Sequence, residues 1–223
     1  MKEKEANTSQ LLQLMTLLSP FFPVGSFAYS HGIEQSVHDG LITCCADMEI
    51  WLRGLLQKGT GWNDTVFLIQ AWRNVKTGTD ITELGQLACA MSGSSEREME
   101  TCMQGWAFLK AAADYGAECP IHSEKLAYPI AVGIIGAEMD IELEALVAAY
   151  LHSFISNLVQ AGIRLVPLGQ KDGVKIMHAL ENDIRRLSQQ ARHLTLTDLG
   201  SAAIMSDICA MRHETLYTRI FRS

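Results

Sequence analysis

The sequence has almost no period-two alternation of Val, Ile and Thr, which excludes half-buried strands as its main element. No long Lys/Arg stripe appears either. Its 18 basic residues against 25 acidic ones leave a formal charge of −7, the wrong sign for a surface that must neutralise phosphates, so no nucleic-acid partner is expected. Apolar stretches such as Ile130 to Ile135 and Ala145 to Leu151 fall short of the roughly 20 residues that a bilayer crossing needs. The opening Met1-Lys2-Glu3-Lys4-Glu5 leads to an apolar stretch from Leu11 that Gln13 and Thr16 interrupt, and no export signal is read there. The expectation is a cytoplasmic protein with no membrane partner.

Missing too are the short motifs that announce chemistry. There is no G-x-x-x-x-G-K-[ST] loop to cradle phosphates, no G-x-G-x-x-G, no G-x-S-x-G, no H-E-x-x-H and no calcium loop. The six cysteines, Cys44, Cys45, Cys89, Cys102, Cys119 and Cys209, lack C-x-x-C spacing and the density of a secreted disulfide framework, so reduced thiols are expected. The seven histidines show no i,i+4 pairing that would converge on nickel or zinc. No metal site, no cofactor and no catalytic residue are expected, and the chain is read as a non-enzyme.

What is present is core material, 48% hydrophobic against 19% charged, with apolar residues recurring at three-and-four spacing. The fold class is therefore all-α, a single-domain bundle of about ten helices over residues 1–223. Val147, Leu151, Phe154, Leu158, Ala161 and Leu165 share one helical face, and Val174, Met177, Leu180, Ile184 and Leu187 share another. Opposite that second face lie Glu181, Asp183, Arg185 and Arg186, which makes it an amphipathic, solvent-facing helix. Further helices are expected at about 9–18, 27–39, 46–58, 62–76, 80–92, 96–115, 127–138 and 197–214. Ser95-Glu96-Arg97-Glu98 reads as a capping box. A central loop is expected at Gly116 to Pro120, and a flexible N-terminus at about 1–8.

Two polar clusters admit an acid–base reading. Tyr29, His31 and Glu34 fall near the start of one expected helix, where His31 and Glu34, three apart, face similarly; a helix-surface pair is the plainer alternative. His213 and Glu214 stand beside Arg212, but adjacent helical residues diverge by about 100°. Spacing alone yields no active site.

Three ordered blocks carry a family resemblance. The first runs Phe22-Pro23-Val24-Gly25-Ser26-Phe27-Ala28-Tyr29-Ser30-His31-Gly32-Ile33-Glu34. Physically it reads as an entry turn, with Pro23 fixing φ, Gly25 permitting a tight turn and Ser26 capping a helix from near Phe27. The second, Ser156 to Gly173, contains Arg164-Leu165-Val166-Pro167-Leu168-Gly169-Gln170 and then Asp172 and Gly173. Here Pro167 and Gly169 end one helix, Asp172 caps the next, and Arg164 needs a partner or solvent among apolar neighbours. The third is Met211-Arg212-His213-Glu214-Thr215-Leu216-Tyr217-Thr218-Arg219-Ile220-Phe221-Arg222-Ser223, a segment of arginines and aromatics of the kind that anchors partners.

With a weaker match over Ser94 to Met103, these blocks resemble the urease accessory protein F family over nearly the whole chain. The resemblance implies an all-α scaffold without catalysis of its own. It also implies binding to urease accessory protein D (H in some species) and, through that complex, to the accessory GTPase G, the assembly acting on apo-urease with this chain as a homodimer. Tyr217, Arg219, Phe221, Arg222 and Ser223, with Arg212, His213 and Glu214 beside them, are then expected to order on D or H, as a partner-binding tail over about 215–223. The first block and the Arg164 to Gly173 corner would serve docking or folding. An alternative implied role is activation of the GTPase by an inserted arginine, with Arg164, Arg212 and Arg219 as candidates.

Overall fold

The computed structural model describes residues 2–118 and 125–223, with side chains from Thr8 onward. Every regular element among them is helical: α1 (Lys2–Leu17), α2 (Ile33–His38), α3 (Cys45–Lys58), α4 (Thr60–Thr77), α5 (Thr82–Ala90), α6 (Ser95–Asp114), α7 (Tyr128–Glu138), α8 (Leu143–Leu165), α9 (Gln170–Gln190) and α10 (Ile204–His213). Two 3₁₀ turns, Ser26–Ala28 and Leu196–Asp198, complete the set. The all-α reading holds. Cys119, Pro120 and His122 lie outside the described residues.

The core is built around α7, which is apolar all round: every residue from Pro129 to Ala137 is buried. A helix without a polar face must be enclosed, and α4 and α6 pack along α7 with α8 beside it. Small residues set how closely these helices approach. A Cβ on Gly133 of α7 would run into the carbonyl oxygen of Leu68 on α4, and one on Gly105 of α6 would strike the backbone of Leu126.

The stripe expected on α8 is present, with Val147, Leu151, Leu158 and Ala161 buried and Phe154 and Leu165 packed at its edge. By length and composition, α8 as a whole is apolar enough to cross a membrane, because the stretch Ala145 to Leu151 is only part of a 23-residue helix. In the fold it packs against α2, α3, α4, α7 and α9.

On α9 the buried stripe is Gly173, Ile176, Leu180, Ile184 and Leu187. Val174, expected at its head, is 70% exposed. The bare Gly173 faces α8 instead, where a Cβ would meet Ile163 at 2.9 Å and Val159 at 3.1 Å. Asp183 does not face solvent alone, since it accepts from Arg53 Nε (3.0 Å) and Gln57 Nε2 (2.9 Å) and so ties α9 to α3. The cap expected at Ser95 sits one residue early, and because its N3 residue is then Arg97 the reciprocal half of a capping box does not form. Ser94 is the cap, accepting from Arg97 N at 3.2 Å, and Ser95 is free to bond elsewhere.

Two expected helices are shorter than the periodicity implied. The segment 27–39 becomes a 3₁₀ turn and a six-residue α2, and 197–214 becomes a 3₁₀ turn and α10.

The glycines separate backbone approach from mere permissiveness. Gly133→Ala should lower stability by about 1–3 kcal/mol through overpacking against α4. Gly54→Ala, in the interior of α3 with nothing within 4 Å of the added methyl, should raise it by about 0.5–1 kcal/mol. Urea denaturation midpoints moving in opposite directions would bear this out, and equal shifts would not.

Candidate functional site

Gly25 takes φ 75°, the 3₁₀ turn Ser26–Ala28 follows, and Tyr29 is extended. Then His31 (φ 61°) and Gly32 (φ 77°) are consecutively left-handed. Three left-handed residues within eight break the helix expected from Phe27, and Ser26 caps nothing through its side chain. Gly32 is required twice over, by its φ and because a Cβ would sit 3.0 Å from the backbone nitrogen of Ala210 on α10. His31 therefore lies outside α2. Rather than forming a helix-surface pair, His31 and Glu34 are buried, at 3% and 7% exposure.

Glu34 is covered by the last residues of the sequence, which fold back onto this turn. Glu34 Oε1 accepts from the backbone N–H of Ile220 (2.7 Å), and Oε2 accepts from that of Phe221 (2.9 Å). His213 Nε2 lies 3.1 Å from Oε2 of the same carboxylate. Ser30 donates to the carbonyl of Ser223 from both its N–H (2.7 Å) and its hydroxyl (2.5 Å), and Arg222 N–H donates to Ala28 O at 2.8 Å. Ser223 Oγ donates to Glu100 at 2.6 Å. The Phe221 ring is buried, with the Arg164 guanidinium 5.0 Å above it, while Arg164 Nη1 donates to Phe27 O and Asn157 Nδ2 to Ser26 O. The three sequence blocks thus meet at one place.

A second layer clamps α10 to the start of α6. His213, fully buried, has its other ring nitrogen 2.7 Å from Glu96, which also pairs with Arg219. Both ring nitrogens of His213 are thus engaged by carboxyl groups, Glu34 on one side and Glu96 on the other. Glu214 accepts from Ser95 N and Ser95 Oγ, both at 2.8 Å, placing its carboxylate where the α6 dipole favours negative charge. Arg212 reaches Asp39 at 2.6 Å.

In this structure the end of the tail packs on the chain itself. Tyr217, fully exposed, and Ile220, 68% exposed, point outward, while the Ile220 N–H is held by Glu34. A groove of about 850 Å³ is lined by Phe27, Tyr29, Met99, Met103 and Trp106, and the tail contributes Arg222 to it. Pro167, Gly169 and Gln170 form the exposed α8–α9 corner, where Asp172 accepts from Gly169 N at 3.2 Å, and they take no part in this clasp.

Beneath the clasp lies a buried charged cluster that spacing did not single out. His31 Nε2 meets Thr60 Oγ1 at 2.6 Å, and its Nδ1 lies 3.6 Å from Glu100, which is ion-paired to Arg97. Arg97 Nε finds no acceptor. Tyr150 donates to Asp64 at 2.8 Å. Burial, aided by the Arg97 charge, lowers the His31 pKa to about 4. Desolvation raises that of Asp64 to about 6. Glu100 is held below the usual carboxylate range by Arg97 and His31, although its burial pushes the other way. The one signal available was that Arg97, Glu100 and Gln104 fall on the α6 face that also carries Phe108. Among the described residues, no three His, Cys, Asp or Glu side chains converge on a metal-sized space.

The sequence model of the UreF family matches residues 42–181. Over 219 residues the chain is 46% identical to "Urease accessory protein UreF 1" of Brucella canis, covering 97% of this chain and 95% of that protein. It is 44% identical to "Urease accessory protein UreF" of Mesorhizobium japonicum, covering 96% of each.

The buried cluster makes stability pH-dependent in a signed way. Unfolded His31 takes up a proton below pH 6.5 that the folded chain refuses, so its contribution is complete above 6.5 and is lost as pH falls towards 4. Asp64 acts oppositely, being protonated more readily when folded, and it offsets part of that loss as pH falls below about 6. Asp64→Asn removes the offset, so stability should fall more steeply between about pH 6 and pH 4, by up to about 3 kcal/mol. Urea titrations across that range check this, and an unchanged slope would contradict it.

Proposed function

The chain belongs to the UreF family of urease accessory proteins, and from that premise we propose that it serves urease maturation as a non-catalytic scaffold. In this reading it pairs with accessory protein D or H, forms a dimer of such pairs and presents a surface to the GTPase G. GTP hydrolysis is thereby coupled to nickel insertion into apo-urease in the cytoplasm. The observation that carries the reading is the clasp. It spends the polar backbone of the tail inside the chain and leaves the Tyr217 and Ile220 side chains outside, while Arg222 lines a groove of methionines and aromatics. Large apolar and arginine side chains on a rigid backbone lose little entropy on docking, which is what a scaffold surface needs.

The polar centre supports scaffolding over catalysis. Glu34 and His213 are in contact, as an acid–base pair would be, but His213 is fully buried and both its nitrogens are engaged. The activator alternative draws little from the geometry. Arg164 is held by Phe27 O and Phe221, Arg212 by Asp39 and Arg219 by Glu96, so none is extended as a finger.

Co-purification with cognate D or H and G tests the proposal. Tagged full-length chain should retain both. Tyr217→Ala combined with Ile220→Asp should weaken retention at least about tenfold with an unchanged melting temperature, because neither side chain is buried. Truncation after Leu216 should lose both binding and stability, since it also empties the Glu34 carboxylate. A folded full-length chain that retains neither partner would refute the scaffold role.

A further inference from the structure

Cys89 near the end of α5 and Cys102 in the first half of α6 bring their sulfurs to 3.5 Å, and both side chains are half-buried. They belong to neither the clasp nor the charged cluster. Each is reached from its own side. Cys102 lines the groove with Met99, Met103 and Trp106, and Cys89 lines a smaller opening with Gln86, Glu98 and Lys125. We propose that Cys89 and Cys102 form a redox-sensitive thiol pair that closes to a disulfide by exchange with a small disulfide such as oxidised glutathione, fixing α5 against the wall of the groove.

The two thiols are not equivalent. Burial, with Cys89 alongside, pushes the Cys102 thiol up to about 12. Cys89, reached through its own opening, makes the first attack as the thiolate nucleophile. The Cys89 thiolate attacks one sulfur of the small disulfide, that S–S bond breaks, and one glutathione thiolate leaves. Cys102 then gives up its proton and attacks the Cys89 sulfur of the mixed disulfide, releasing the second glutathione. The two protons of the protein thiols end on the two released glutathiones. Two protein thiols are oxidised, one small disulfide is reduced, and no further reagent is needed.

Bond formation requires the sulfurs to approach to about 2.05 Å. α5 can supply that movement. It is a nine-residue helix that buries only Leu84, Gly85 and Ala88, and the turn leading from it to α6 contains Gly93 in the left-handed region. The other described cysteines are placed differently: Cys44 is exposed and next in sequence to Cys45, while Cys209 is buried on α10.

The test is exposure of the full-length chain to oxidised glutathione, then alkylation and a non-reducing peptide map. The expected result is a cross-linked pair of peptides containing Cys89 and Cys102, reversed by a thiol reductant. Cys102→Ser should instead leave glutathione attached to Cys89, and Cys89→Ser should leave Cys102 alkylatable. Amide exchange over 82–90 should slow on oxidation. Recovery of both cysteines in alkylated form, under conditions where exposed Cys44 has taken up glutathione, would overturn the proposal. So would cross-linking that leaves exchange over 82–90 unchanged, for the part that concerns α5.

Discussion

At 7% exposure the Glu34 carboxyl group has little water to bond with, and it finds its partners on elements more than 170 residues away in sequence: two backbone N–H groups of the tail and the imidazole of His213. A buried polar group without a hydrogen-bond partner is among the costlier defects a fold can carry. The N-terminal turn, α10 and the tail therefore become one unit. The left-handed His31 and Gly32 matter because they aim Glu34 inward, and the close approach of Gly32 to Ala210 leaves α10 against α2, where His213 can reach it. Remove the carboxyl group and three groups lose their common partner.

This arrangement changes what the tail can offer a partner. A disordered segment that folds on binding must meet its ordering entropy at that moment. A tail already bonded through its main chain to Glu34, Ser30 and Ala28 presents side chains on a fixed frame. Under the scaffold proposal, the exposed tyrosine and isoleucine would act as a surface rather than as a flexible arm. Arg219, for all its resemblance to a free basic anchor, is spent on Glu96.

Local periodicity made the large helices legible. The α8 stripe follows from three-and-four spacing alone, and α7 is visible as the apolar run from Ile130 to Ile135. Periodicity failed where the backbone turns left-handed. Gly32 could be seen as permissive, but nothing in the sequence marks His31 as sharing its conformation, so 27–39 reads as one helix. The α6 cap slipped by one because Ser94 and Ser95 are equally able to cap, and only the tertiary pairing of Ser95 with Glu214 decides between them. The three motif blocks were visible as blocks. That they meet one another, through Glu34, Arg164 and Phe221, depends on contacts across much of the chain that no spacing rule encodes. Asp64, Glu96 and Glu100 were missed for the same reason, since a buried charge looks like any surface charge until its partner is known.

Amide hydrogen exchange at Ile220 and Phe221 in the isolated full-length protein tests the clasp most directly. If Glu34 holds these two N–H groups, both should exchange far more slowly than the neighbouring exposed Thr218, and Glu34→Ala should bring them to the rate of an unstructured chain while α7 and α8 stay protected. Exchange of Ile220 and Phe221 in the unsubstituted protein at the unstructured rate would show that the tail is not held, and would contradict the account.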